Sequence, residues 1–176
     1  ELEAVHLAKN ASVAVDRLLS SRIRALNMLA FGHADEYPDR LDEFYRAAHA
    51  FRTSFGAHVV LADADLNMLF NTRLPQGQPL PRLPQPRGNA AVPRALQTGE
   101  PAVGDIFYGP VAGLPLVAIA VPIKREGKKP LLLLATLETA QLKERLDEIE
   151  LPEGWALSLR DSEGELIARK ASTATL

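Results

Sequence analysis

The sequence predicts an α+β fold: two helices, the first very long, followed by an antiparallel sheet and a closing hairpin. Three observations carry this. Residues 1–31 hold apolar side chains at helical spacing with no Gly or Pro among them. From His58 onward the pattern shifts to short apolar runs set off by acidic and glycine turns. The two longest of these runs are joined by Arg125-Glu-Gly-Lys128, a hairpin tip.

In the first helix Val15, Leu18, Leu19, Ile23, Leu26 and Leu29 follow the i, i+3, i+4 rule, and Leu2, Val5 and Ala8 continue the stripe weakly. At 1.5 Å per residue such a rod is about 45 Å long, more than a compact domain of this size needs. Part of it is therefore expected to project or to pair with a second copy. A second helix fits 38–55, with Pro38 suited to its first turn and Gly56 as its stop. Leu41, Phe44, Tyr45, Ala48, Phe51 and Phe55 line one of its faces.

Strands are predicted at 58–63 and 66–72, with Asp65 and Asn67 supplying the turn. Residues 73–88 carry Pro75, Pro79, Pro81, Pro84 and Pro86 and read as a loop. Asn89 suits the cap of a short helix running through Leu96 and stopping near Gly99. Further strands fit 102–108, 114–123 and 130–138, then a helix at 139–149 with Leu142, Leu146 and Ile149 on one face. Trp155–Arg160 and Glu165–Lys170 form the final hairpin. The strands at 58–138 make a five-stranded antiparallel sheet, and the long helix buries its stripe on one face of it. The expected organisation is 1–57 for the two helices, 58–150 for the sheet domain and 151–176 for the hairpin.

A faint repeat links Asp63-Ala-Asp-Leu-Asn-Met-Leu to Asp161-Ser-Glu-Gly-Glu-Leu-Ile, each an acidic turn between two apolar runs. Two readings stay open. Either any hairpin with an acidic turn looks like this, or a second copy of the sheet domain begins at Trp155 and is cut off where the sequence ends.

Composition narrows the function classes. A formal net charge of −2 lacks the basic field of a nucleic-acid binder. With no cysteine there is no disulfide, thiolate nucleophile or Cys-ligated metal. The longest apolar stretch, Pro110 to Ile123, is broken by Gly113, Pro115 and Pro122, so no membrane helix is expected within it. The first residue is Glu1, which suggests a piece of a longer protein.

Several catalytic and binding motifs fail on inspection. Asp63-Ala-Asp-Leu-Asn67 begins like a calcium loop, but Met68 stands where Gly is needed and Leu74 where Glu is needed. Gly104-Asp-Ile-Phe-Tyr-Gly109 has the outer glycines of a phosphate loop, but Pro110 and Val111 replace its Lys and Ser/Thr. His6, His33, His49 and His58 lack zinc-site spacing, and there is no Gly-x-Ser-x-Gly elbow. No enzyme, metal or cofactor is expected.

The set of elements resembles the extracytoplasmic, PAS-like Cache sensor domains of bacterial histidine kinases and chemoreceptors. The carriers lie within 1–150. They are the uninterrupted helix 1–31, the hairpin from Val59 to Thr72, and Ala91-Val-Pro-Arg-Ala-Leu-Gln-Thr-Gly-Glu-Pro101. Val103-Gly-Asp-Ile-Phe-Tyr-Gly-Pro110 and Leu116-Val-Ala-Ile-Ala-Val-Pro-Ile123 complete the set. The resemblance implies a PAS-like sheet whose outer face, roofed by loops and a short helix, holds a small ligand. It implies a periplasmic domain of an inner-membrane receptor, foremost a sensor histidine kinase of a two-component system. A chemoreceptor, a diguanylate cyclase or a cytoplasmic PAS/GAF-type interaction module are the alternatives. The Arg, Trp and Tyr cluster of amino-acid-sensing double-Cache receptors is not apparent, since the single Trp is Trp155, so an amino-acid ligand is not expected.

The strand 114–123 bears on the site directly. Leu116, Ala118 and Ala120 face one way, and Val117, Ile119 and Val121 the other. Small side chains either leave room for a ligand or seat a helix closely. As a pocket floor, Ala118 and Ala120 would be overlooked by Arg73, Arg94, Asp105 and Tyr108. An Arg there favours a carboxylate ligand, because its planar fork meets two oxygens. The expected partners are thus a small molecule and, through the first helix, a second copy; nucleic acid is not among them.

Overall fold

A computed structural model describes residues 1–84 and 90–173. Helix α1 spans Leu2–His33 and α2 spans Leu41–Phe55. Strands β1 (His58–Asp63) and β2 (Met68–Asn71) form the first hairpin, and α3 spans Ala91–Thr98. Then come β3 (Ala102–Val103), β4 (Phe107–Tyr108), β5 (Pro115–Ile123) and β6 (Leu131–Glu138). Helix α4 (Thr139–Asp147) leads to the hairpin β7 (Ala156–Arg160) and β8 (Leu166–Ala171).

The main sheet is antiparallel with order β2-β1-β6-β5-β3, and β4 also pairs with β5. It is the expected α+β, PAS-like five-stranded platform, except that the strand expected at 102–108 is two short pieces. The break falls at Gly104-Asp105-Ile106, where Asp105 and the Ile106 amide turn to other partners. Pro38 precedes α2 instead of opening it, since the helix begins at Leu41. Gly56 ends that helix as expected, with φ +71° and its N–H donating to the Arg52 carbonyl. Asn89, the expected cap of α3, lies outside the described residues.

Alternation along the strands separates two apolar faces. Val59, Leu61, Ile119, Val121, Leu133 and Ala135 pack under α1 and α2 with Leu26, Phe44, Ala48, Phe51 and Phe70. The outer face presents Val60, Ala62, Ala118, Ala120, Leu132 and Leu134, covered by α3 and by Leu83. A third cluster joins Ala11, Val15 and Leu18 of α1 to Val117, Leu142, Leu146 and Ala168. The earlier part of α1 therefore packs with α4 and the closing hairpin, while Leu26 and Ala30 pack with the main sheet.

The two hairpin turns are built alike. Asp63 Oδ1 accepts from the Asp65 and Asn67 amides at 3.0 and 2.9 Å; Asp161 Oδ1 accepts from the Glu163 and Glu165 amides at 3.0 and 2.9 Å. The fourth residue has positive φ in both, +70° at Leu66 and +83° at Gly164. The register slips at the same place, with Ala62 opposite Met68 and Arg160 opposite Leu166.

Candidate functional site

The outer face of the sheet carries two adjoining cavities. The first, about 40 Å³, is lined by Leu83, Pro84, Ala90–Val92, Gly104, Asp105, Phe107, Ala118 and Leu134. The second, about 30 Å³, runs toward the end of β2, where Asn71, Arg73, Leu116 and Thr136 meet the turn Gly109–Ala112. Leu83, Pro84, Phe107 and Leu134 line both and so divide one groove into two. Each compartment has room for a few waters. A ligand of several heavy atoms fits only if this partition yields.

Floor and walls follow from the strands. Ala118 pairs with Thr136 and Ala120 with Leu134, so these side chains share the outer face. Ala120 is fully buried in the cluster with Ala95 and Ala102 and seats α3; it lines neither cavity. Ala118, one pleat further, is cavity floor. The row of small residues thus serves both readings of the strand, one at each position.

Of the expected polar groups, Arg73 and Asp105 line the groove, in different compartments. Arg73 is largely buried, and its Nη2 lies 3.8 Å from Glu138 Oε2, beyond hydrogen-bond distance. Its Nε is buried without a hydrogen-bond partner among the described residues. Burial lowers the Arg73 pKa; Glu138 opposes that shift and Arg52 adds to it. His58 lines neither cavity but feels the Arg73 charge, and its pKa is pushed down to about 4 by burial and by the charges of Arg73, Arg52 and His49. His58 stays neutral there, with Nδ1 2.9 Å from the Thr72 hydroxyl.

Asp105 is buried and its carboxylate accepts from the Ser162 amide at 2.9 Å and the Ser162 hydroxyl at 2.6 Å. Arg94 lies on the exposed side of α3, where its Nη1 donates to the Val103 carbonyl at 3.1 Å. Tyr108 is 68% exposed and lines neither cavity. Its neighbour Phe107 points inward and separates the compartments. The structure thus brings Arg73, Asp105 and Ala118 to the groove and leaves Arg94, Tyr108 and Ala120 off it.

Sequence reasoning passed over Phe107, Asn71 and Thr136. Thr136 had a signal: it is the one hydroxyl inside the apolar run Leu131–Leu137. Among the described residues no three His, Asp or Glu side chains gather as a metal site.

No protein-family model and no curated protein sequence matches the chain. Solved structures do match in fold. The ligand-binding domain of the Pseudomonas aeruginosa amino acid chemoreceptor PctB, in complex with L-Gln, superposes with TM-score 0.69 at 16% identity over 95% of this chain. That alignment covers 67% of the PctB domain. The Campylobacter jejuni chemoreceptor Tlp3 domain with L-valine gives 0.67 at 16% identity, covering 93% of this chain and 68% of that one. The Pseudomonas fluorescens CtaA domain with L-serine gives 0.64 at 19% identity, covering 92% and 66%. The chain therefore has the Cache-type fold of chemoreceptor ligand-binding domains and spans about two thirds of their length. Among the described residues no helix is long and apolar enough to cross a membrane.

Proposed function

We propose that this chain is the extracytoplasmic, small-molecule-sensing part of a membrane-bound receptor and is not itself an enzyme. The observation that carries the reading is the divided apolar groove with a buried guanidinium whose Nε has no partner among the described residues. Glu138 Oε2 faces one end of this partly buried fork at 3.8 Å, and a ligand carboxylate would supply two further oxygens in the plane of the remaining donors. The ligand class is a small carboxylate with an apolar body, anchored by Arg73, with Thr136 and Asn71 beside it and Ala118 beneath. Amino acids are carboxylates too, and the solved neighbours hold them. The Arg, Trp and Tyr cluster of the amino-acid-sensing receptors is nevertheless not apparent here, and Trp155 lies at the start of the closing hairpin.

Ligand entry has to part Leu83 and Pro84 from Phe107, so the occupied and empty forms differ in loop packing. A ligand shifts that balance only by its different affinity for the two forms. The fold likeness to chemoreceptor domains favours a chemoreceptor over a histidine kinase as the parent, with the output module elsewhere in the protein. We also read β7–β8, which repeats the turn chemistry of β1–β2, as the opening hairpin of a second module of the same kind.

The test is a thermal-shift and calorimetric screen of small carboxylates against the protein and Arg73→Met. A ligand at a hundred times its Kd adds about 2.7 kcal/mol, or about 5–10 °C in Tm for a chain of this length. Arg73→Met is expected to weaken binding at least tenfold, on the order of one charge-assisted contact. Binding that survives this substitution unchanged removes Arg73 as the anchor. A flat screen at millimolar concentrations refutes the ligand class.

A further inference from the structure

We propose that the broken edge strand at Gly104-Asp105-Ile106 is a latch that reports the state of the groove to the closing hairpin. One side of this segment is cavity wall: Gly104, Asp105 and Phe107 line the compartment over Ala118. The other side is bonded to the β7–β8 turn. Asp105 accepts from the Ser162 amide and hydroxyl, and the Ile106 amide donates to Asp161 Oδ2 at 3.2 Å. These bonds span more than fifty residues of sequence and involve a buried carboxylate.

The duplicated turn shows that the contact is more than a by-product of hairpin geometry. Both turns use Asp Oδ1 for the same two backbone amides. They diverge at the atoms that reach outward. In the first turn Asp63 Oδ2 is occupied locally by Asn67 Nδ2 at 3.1 Å, and the next residue is Ala64, with no hydroxyl. In the second turn Glu165 replaces that Asn and Ser162 replaces that Ala. Asp161 Oδ2 is thereby released to the Ile106 amide, and a hydroxyl is supplied to Asp105. The first turn meets the opposite wall through backbone, the Leu66 carbonyl accepting from the Leu83 amide at 2.8 Å; only the second turn reaches the Gly104–Ile106 wall, and it does so through side chains.

Filling the cavity from its floor moves the wall without any ligand, so this inference goes beyond the sensing reading and is tested apart from it. Hydrogen exchange of the 156–171 amides is measured in the intact protein, in Ser162→Ala, in Ala118→Met and in the double variant. Loss of the Ser162 hydroxyl is expected to raise hairpin exchange roughly tenfold, the scale of one hydrogen bond to a charged group. Ala118→Met is expected to change hairpin exchange at least about threefold with Ser162 present and not in its absence, the signature of coupled sites. If Ala118→Met fails to fold, Ala118→Val makes the same comparison with a smaller probe. Hairpin exchange that ignores the cavity substitution, or that responds equally in both backgrounds, overturns the latch. A failed carboxylate screen leaves the result standing.

Discussion

Gly109 offers a sharp test of how the groove is packed. It has ordinary backbone angles, so its role is space and not conformation. A β-carbon there would stand 2.5 Å from Leu116 Cδ1 and 3.2 Å from Ala112 Cβ. Carbon atoms prefer about 3.5–4.0 Å, so the first approach is short by roughly 1 Å. Ala112 Cβ cannot rotate aside. Leu116, buried on the floor beside Arg73, must swing into the second compartment or the turn 109–112 must lift. Gly109→Ala is therefore expected to cost about 1–3 kcal/mol, the usual price of overpacking. For a chain of this length that lowers Tm by about 2–12 °C. Leu116→Val removes the offending Cδ1 and alone costs about 1 kcal/mol. Together the two are expected to cost at least about 1 kcal/mol less than their sum. Urea unfolding of the four proteins measures this cycle. Gly32→Ala sets the opposite sign: it lies in the last turn of α1 with nothing within 4 Å of its added carbon. It is expected to gain about 0.5–1 kcal/mol. Additivity at Gly109 and Leu116 within about 0.5 kcal/mol would refute the packing argument.

Two further outcomes follow from described features. His58 has a folded pKa near 4 against 6.5 unfolded, so between those values the unfolded chain binds more protons and stability falls as pH drops from about 6.5 to about 4. NMR titration should find its imidazole neutral until about pH 4, and Arg73→Met should move that pKa upward; an ordinary pKa in the intact protein contradicts the assigned surroundings. The outward side of α1 exposes Leu2, Val5, Val13, Met28 and Phe31, with Phe31 90% exposed, and this is the stripe on which the expected pairing with a second copy can be tested. Sedimentation should show a concentration-dependent dimer weakened at least tenfold by Met28→Lys with Phe31→Asp, on the scale of hot-spot losses; a monomer at all concentrations sinks that expectation.

Much of the fold was legible because it rests on periodicity. The long rod was readable from Val15 to Leu29, and the sheet from alternation in β5, where Val117, Ile119 and Val121 do face the helices. Side-chain phase failed where strands are too short to carry it. Phe107 and Tyr108 form a two-residue strand, and which of them points inward is set by pairing with Leu116 and Pro115. That pairing follows the break at Gly104–Ile106, where Asp105 and the Ile106 amide bond to a turn some fifty residues downstream. Ala118 and Ala120 are indistinguishable in sequence; only the seating of α3 over one of them decides which is floor. Arg94 sits on a short helix whose buried side is Ala91, Val92 and Ala95, leaving its guanidinium nearer the Val103 carbonyl than the groove.

Helix α1 enters two separate apolar clusters, one at Leu26 and Ala30 and another at Ala11, Val15 and Leu18. Its 32 residues make a lever arm about 48 Å long. Pivoting that arm by about 5° about one end sweeps the other through about 4 Å, close to the radius of a side chain. Because the arm is seated at Ala11–Leu18 as well as at Leu26–Ala30, any tilt has to repack both clusters together, and the stretch before Ala11 would be carried furthest.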